Sequence, residues 1–284
     1  MGILTDNPVL RREVRARLRL RRLTASKPLA WIVGLTSLVI VYFYIKGLIA
    51  IGRGDTQTAR ELWAYLLLSL LLLVVILAPA LLSTAITQER EQQTWEALTT
   101  TRLTAAEVLL GKWLARLSLT GLPLLVLLPF LIGCAVRGGV GISTNLSALL
   151  FLALTAGFYG VLGLLCSFLA RRTVTATVAA LTIAIFLCVG TPILAALTAE
   201  YVRAASTDYS YRDPVVLWIN PFYALTAFLS VLEPHGVGMI GGPGALGPQP
   251  PGSVVAFYLI TSLLAIAAGL SFMAARFRHA ARDQ

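Results

Sequence analysis

Long stretches without a single charge alternate with short polar segments along the chain. Residues 62–88, 117–136, 138–170 and 173–199 contain no Asp, Glu, Lys or Arg. Each reaches about 20 residues or more, the helical length that crosses a hydrocarbon core. Two further apolar stretches flank them, 29–51 and 253–275. The first is charged only at Lys46, near its far end, where a long side chain can snorkel to the interface. The pattern predicts an all-α, polytopic integral membrane protein with six transmembrane helices, at about 29–51, 62–86, 113–136, 146–170, 174–199 and 253–275. Pro79 is an expected kink in the second; the third holds Pro123 and Pro129 and the fifth Pro192. Gly157, Gly160 and Gly163 share the surface of the fourth, which favours close helix packing over a ligand site.

The polar segments differ from one another. In the amino-terminal arm, Asn7-Pro8 makes a helix start, and Leu10, Val14 and Leu18 recur every four residues. Arg11, Arg15 and Arg22 fall on neighbouring faces. The pattern predicts a short amphipathic helix on the membrane surface, its arginines toward anionic lipid headgroups. The alternation from Arg15 to Arg21 also fits a strand, and a solvated basic arm is the plain alternative. Residues 200–252 form the longest connection. They include a charge-free run, 214–232, which Asn220-Pro221 interrupts, and a Gly/Pro-rich stretch at 236–252. One or two short helices dipping into the outer leaflet, backed by protein, fit this run better than a seventh span.

Residues 87–112 stand out as a charged island between two apolar runs, holding four of the thirteen acids. Glu89-Arg90-Glu91 extends the second span beyond the bilayer. Thr104-Ala-Ala-Glu107 is a capping box opening a helix that runs through Gly111-Lys112 into the third span. Between them, 94–98 can form a short helix with Trp95 and Leu98 on one face, an apolar pair suited to a partner's groove. The residues alone support equally a Trp95 packed on the chain's own helices or placed at the membrane interface.

Composition agrees with the pattern. The chain is 57% hydrophobic and 13% charged, against about a quarter charged in soluble domains. Its net charge of +10 would suit nucleic acid, but eight of the 23 basic residues lie in the first 27 positions, directly before an apolar run. That is an orientation signal, and no nucleic-acid partner is expected. The arm, the island with Arg116, the Arg171-Arg172 turn and the tail hold eight, four, two and three basic residues. The opposite connections hold Arg53, Arg60, Arg137, Arg203 and Arg212. The positive-inside bias therefore predicts both termini and the island in the cytosol. The basic arm is too long for a cleavable signal peptide. Cys134, Cys166 and Cys188 are widely spaced, as expected of small residues packed between helices.

Several chemistries lack their residues. A phosphate-binding loop ending at Gly111-Lys112 needs Gly at 106 and Ser or Thr at 113, where the chain has Ala106 and Trp113. The chain is therefore not expected to be an enzyme or to bind nucleotide itself. His235 and His279 are far apart, no metal-ligand cluster can be assembled, and Glu200 sits at a span end rather than mid-membrane. No metal or cofactor is expected.

The order of elements resembles the membrane subunit of an ABC-2 type transporter. The resemblance rests on Asn7-Pro8 with Arg12-Glu13, on Glu89-Arg90-Glu91 followed by Thr94 and Glu96, on Gly111-Lys112, and on Asn220-Pro221-Phe222 before the last span. It also covers the layout: an elbow helix at 1–28, five spans and a cytosolic coupling loop within 29–199, an outer re-entrant segment within 200–252, and a last span and basic tail at 253–284. The resemblance implies one transmembrane domain over 1–284 and a coupling helix at Thr94, Trp95, Glu96 and Leu98, flanked by Glu89, Arg90 and Glu91. That helix would dock on a separate cytosolic ATPase that binds the ATP. It further implies a dimer with a second copy or similar chain, residence in a bacterial or archaeal cytoplasmic membrane, and export as the direction of transport. One departure is that Thr101 is followed by Arg102, where the family often has proline. An ATPase-linked membrane anchor that carries no solute is the alternative, and a channel or unrelated scaffold a third.

Overall fold

The computed structural model describes residues 56–93, 104–205, 215–232 and 251–280, with scattered helical positions between 38 and 52. Among the described residues every regular element is helical. In chain order these are α1 (Thr56–Leu82), α2 (Thr87–Glu91), α3 (Ala105–Thr120), α4 (Leu122–Arg137), α5 (Ile142–Leu169) and α6 (Thr173–Ile185). A π-turn (Phe186–Gly190), α7 (Thr191–Ala205), a 3-10 turn (Val215–Ile219), α8 (Pro221–Leu232) and α9 (Pro251–Ala280) complete them. Among the described residues, four helical stretches are long and apolar enough to cross a membrane, or five if the bent pair α3–α4 is one span. These stretches correspond to the second through sixth expected spans. The amino-terminal arm with Arg11, Arg15 and Arg22, and most of the first expected span, lie outside the described residues.

At the centre, α1 crosses α5. One apolar core joins Trp63, Leu67, Leu71 and Val75 of α1 to Leu131 of α4, Phe151 and Tyr159 of α5, Leu225 of α8 and Tyr258 of α9. Phe151 stacks on both Phe228 and Tyr258, with ring centroids 5.2 and 5.3 Å away. A second core, nearer the island, gathers Leu82 and Ile86, Val108 and Leu109 of α3, Leu164 and Phe168 of α5, and Met273 and Phe277 of α9. Gly163 makes the central crossing possible. A Cβ there would lie 2.7 Å from the Pro79 carbonyl oxygen and 2.8 Å from its Cα. A Cβ at Gly157 or Gly160 would lie 3.3 Å from the Trp113 side chain, a close but looser approach. The glycine cluster of the fourth span is therefore a packing surface.

Three element boundaries differ from the sequence reading, each for a local reason. The second span starts at Thr56, so Arg60 lies on a helix and not in a polar turn; its Nε donates to the Gly138 carbonyl at 3.0 Å. The helix of the third span opens at Ala105, where the capping box puts it, but is not continuous to Arg137: it bends by 43° between α3 and α4. Pro123, in the first turn of α4, lacks the N–H that would continue the ladder. The fifth span is interrupted by the π-turn, because Pro192 cannot donate to the Cys188 carbonyl four residues earlier.

Asn220 repairs that interruption. Its Nδ2 donates to the Cys188 carbonyl at 2.8 Å and to Thr191 Oγ1 at 2.9 Å. Its Oδ1 accepts from the backbone N–H groups of Phe222 (2.9 Å) and Tyr223 (3.1 Å), capping α8. The interruption read from Asn220-Pro221 is thus a cap between two short helices, the 3-10 turn and α8.

Gly163→Ala should lower the detergent-solubilised protein's unfolding midpoint, since overpacking against rigid backbone costs roughly 1–3 kcal/mol. Gly252→Ala, where a Cβ would meet nothing within 4 Å, should leave it unchanged. Equal midpoints for the two variants would show that the crossing is not as tight as described.

Candidate functional site

The charged island emerges from a break in the helix. Between α1 and α2, residues 83–86 form turns, with neither Pro nor Gly among them. Ser83 and Thr84 donate their hydroxyls back to the carbonyls of Ala80 (3.0 Å) and Leu81 (3.1 Å), competing with the backbone ladder. A broken ladder leaves buried N–H and C=O groups that must find partners. Ser167 of α5 supplies one, its Oγ accepting from the N–H groups of Ile86 (2.9 Å) and Thr87 (3.1 Å).

The carbonyls are met from α3. Lys112 and Arg116 are four residues apart, so they share one face. Both are buried, at 0% and 1% exposure. Arg116 donates to the carbonyls of Leu81 and Thr84 and to the Thr84 hydroxyl. Lys112 Nζ donates to the Ala85 carbonyl at 3.4 Å and forms an ion pair with Glu89. A buried ammonium without a partner would cost several kcal/mol. Here the break supplies the acceptors and the cations satisfy the break.

Successive residues of an α-helix point about 100° apart, and the three charged residues of α2 reach three different elements. Glu89 pairs with Lys112 on α3. Arg90 donates to the Ala170 carbonyl at the end of α5, at 2.8 Å, with its guanidinium 5.9 Å from the Phe168 ring. Glu91 accepts from the backbone N–H of Thr173 at 2.8 Å and from its hydroxyl at 3.0 Å, at the first residue of α6. A carboxylate there also complements the positive end of the helix. After α2, Gln93 takes a left-handed conformation (φ 56°), turning the chain out of the helix where glycine is usual.

On the return side, Thr104 opens α3 with the expected capping box. Its N–H donates to Glu107 Oε2 at 2.8 Å, and its hydroxyl accepts from the Glu107 N–H at 3.3 Å. Of the residues singled out from sequence, Glu89, Arg90 and Glu91 are thus brought together with Lys112, Ala170 and Thr173. Thr94, Trp95, Glu96 and Leu98 lie outside the described residues.

Sequence reasoning missed the burial of Lys112 and Arg116. The signal was present: two cations at helical spacing on a face that continues into an apolar run need partners inside the protein.

The family described as ABC-2 family transporter protein matches residues 8–280, nearly the whole chain. The chain belongs to the ABC-2 transporter family. No curated protein matches it. Its family and its apolar helices make it an integral membrane protein and a membrane transport component, not itself a catalyst.

In this ABC-2 family member, Lys112→Met leaves Glu89 and the Ala85 carbonyl without their cation. The expected loss is about 1–3 kcal/mol, the usual cost of removing one partner from a partly buried hydrogen-bonded group. The double variant Lys112→Met with Glu89→Gln should recover a substantial part of it. Unfolding midpoints of the two single variants and the double variant give the coupling energy; additive losses would mean that the pair does not interact.

Proposed function

We propose that the chain is the permease subunit of an ATP-driven exporter, worked by a separate cytosolic ATPase that binds and hydrolyses the ATP. Membership of the ABC-2 transporter family supports a permease role. The observation that carries the coupling is the island: a charged hairpin between two apolar stretches, whose root is tied by a partly buried ion pair to α3, a partly buried hydrogen bond to the end of α5 and exposed hydrogen bonds to α6. A mere connector between spans has no need of such a root, whereas a segment that receives force does.

In this reading the ATPase docks on Thr94, Trp95, Glu96 and Leu98, the tip between the two halves of the hairpin. Both termini and the island lie in the cytosol, as the distribution of Lys and Arg favours. Arg11, Arg15 and Arg22 rest on anionic lipid headgroups at the same face. The permease works as a dimer, with a second copy or a similar chain. Closure of the ATPase pair displaces the hairpins, and packed helices with two discrete arrangements convert that displacement into opening of a central path. The short helices around Asn220 close the outer side as a re-entrant segment.

The double variant Trp95→Ala with Leu98→Ala tests the docking. Expressed with the ATPase that co-purifies with the unaltered chain, it should insert normally and lose that ATPase by roughly tenfold or more. Normal insertion with undiminished co-purification would remove the tip from the docking surface.

A further inference from the structure

The triplet Glu89-Arg90-Glu91 looks from sequence like part of a surface offered to a partner, yet each side chain bonds to another element of the chain, Glu89 and Arg90 from partly buried positions and Glu91 from an exposed one. Glu89 is on Lys112, Arg90 on the Ala170 carbonyl, and Glu91 on the backbone and hydroxyl of Thr173. Both Glu91 oxygens accept from Thr173 Oγ1, at 3.0 and 3.1 Å. We infer that these three are positioning residues for transmission. They clasp α2 to the start of the third span's helix, the end of the fourth and the beginning of the fifth, so that displacement of the hairpin moves all three together.

The clasp matters most for the fifth span. The most apolar window of α5 is 61% buried, whereas that of Thr173–Thr198 is only 22% buried. α6 packs through a narrow seam of small residues, Ala176, Ala180 and Ala184, and polar contacts at its first two turns add to that attachment. Two of these lie on one face, four residues apart: Thr173 to Glu91, and Thr177 to Ser83 with hydroxyls 2.9 Å apart. Both partners belong to the segment that leads into the island. A push on the hairpin thus has a polar route to the fifth span, through Glu91 and Ser83, beside the alanine seam.

This inference rests on the permease reading, and its test separates the two. The first arm uses the purified permease alone. Glu91→Ala should speed amide hydrogen exchange at residues 173–177 by roughly tenfold, the loss of about one helix cap. Glu91→Gln, which keeps an acceptor oxygen, should stay near the unaltered rate. Unchanged exchange in Glu91→Ala would overturn the clasp.

The second arm uses the permease with its co-purified ATPase in membrane vesicles, carrying Thr198→Cys as a reporter near the far end of the same span. An impermeant thiol reagent, with the chain lacking this substitution as blank, should label it at different rates with and without ATP and vanadate. Glu91→Ala should abolish that difference while ATPase co-purification persists, and Glu91→Gln should retain it. A nucleotide response undiminished in Glu91→Ala would reduce the clasp to a local cap and overturn the transmission role. Absence of any nucleotide response in the Thr198→Cys chain with Glu91 intact would overturn the permease–ATPase reading itself, and transmission with it.

Discussion

Two buried cations hold the island to the membrane-embedded body. Lys112 and Arg116 sit on one face of α3 with almost no exposure. Cations so placed are stable only where acceptors are already fixed around them. The break at 83–86 provides these acceptors: the carbonyls of Leu81, Thr84 and Ala85, followed by the carboxylate of Glu89. An unbroken α-helix would have used the carbonyls of Leu81 and Ala85 in its own ladder, whereas that of Thr84 still accepts from the Gln88 N–H at 3.4 Å. The break and the cations therefore require each other, and the direction in which α2 leaves α1 follows from that mutual need.

The same logic recurs at the other end of the fifth span. Pro192 deprives the Cys188 carbonyl of its usual donor, and Asn220 supplies one while capping α8 with its other atom. The span is attached at its start by Glu91 and Ser83 and at its π-turn by Asn220. Between these ties it exposes Val174, Val178, Ile183, Ile185, Phe186 and Val189. The contrast with α1 and α5, locked by the approach of Gly163 to Pro79, divides the molecule. It has a tightly packed centre and more exposed outer spans, of which the fifth joins the body through Ala176, Ala180 and Ala184 and through discrete polar ties.

Much of this architecture was legible in the chain. Runs without charge announce helices because every backbone polar group in hydrocarbon must be satisfied internally. The Thr104–Glu107 box was readable because its partners are three residues apart. The Gly157, Gly160 and Gly163 cluster was readable because helical spacing places them together. Features set by contacts between distant segments were not. Lys112 and Glu89 are 23 residues apart and meet only because two helices converge. Glu91 and Thr173 are 82 apart. The π-turn could have been suspected from Pro192, but nothing near it in sequence points to Asn220 as the side chain that completes it. The bonding of Glu89, Arg90 and Glu91 to other elements was hidden for the same reason, since charge alone does not say which partner a residue takes.

The central claim is that the island is a handle worked by a separate ATPase and joined rigidly to the spans at its root. Structures of the permease–ATPase complex without nucleotide and with ATP test it most directly. The ATPase should be seated on residues 94–98 in both states. The contacts Glu89–Lys112, Arg90–Ala170 and Glu91–Thr173 should be preserved while the hairpin, α3 and α6 move together. An ATPase seated elsewhere, or a tip that moves while those three contacts break and the spans stay still, would contradict it.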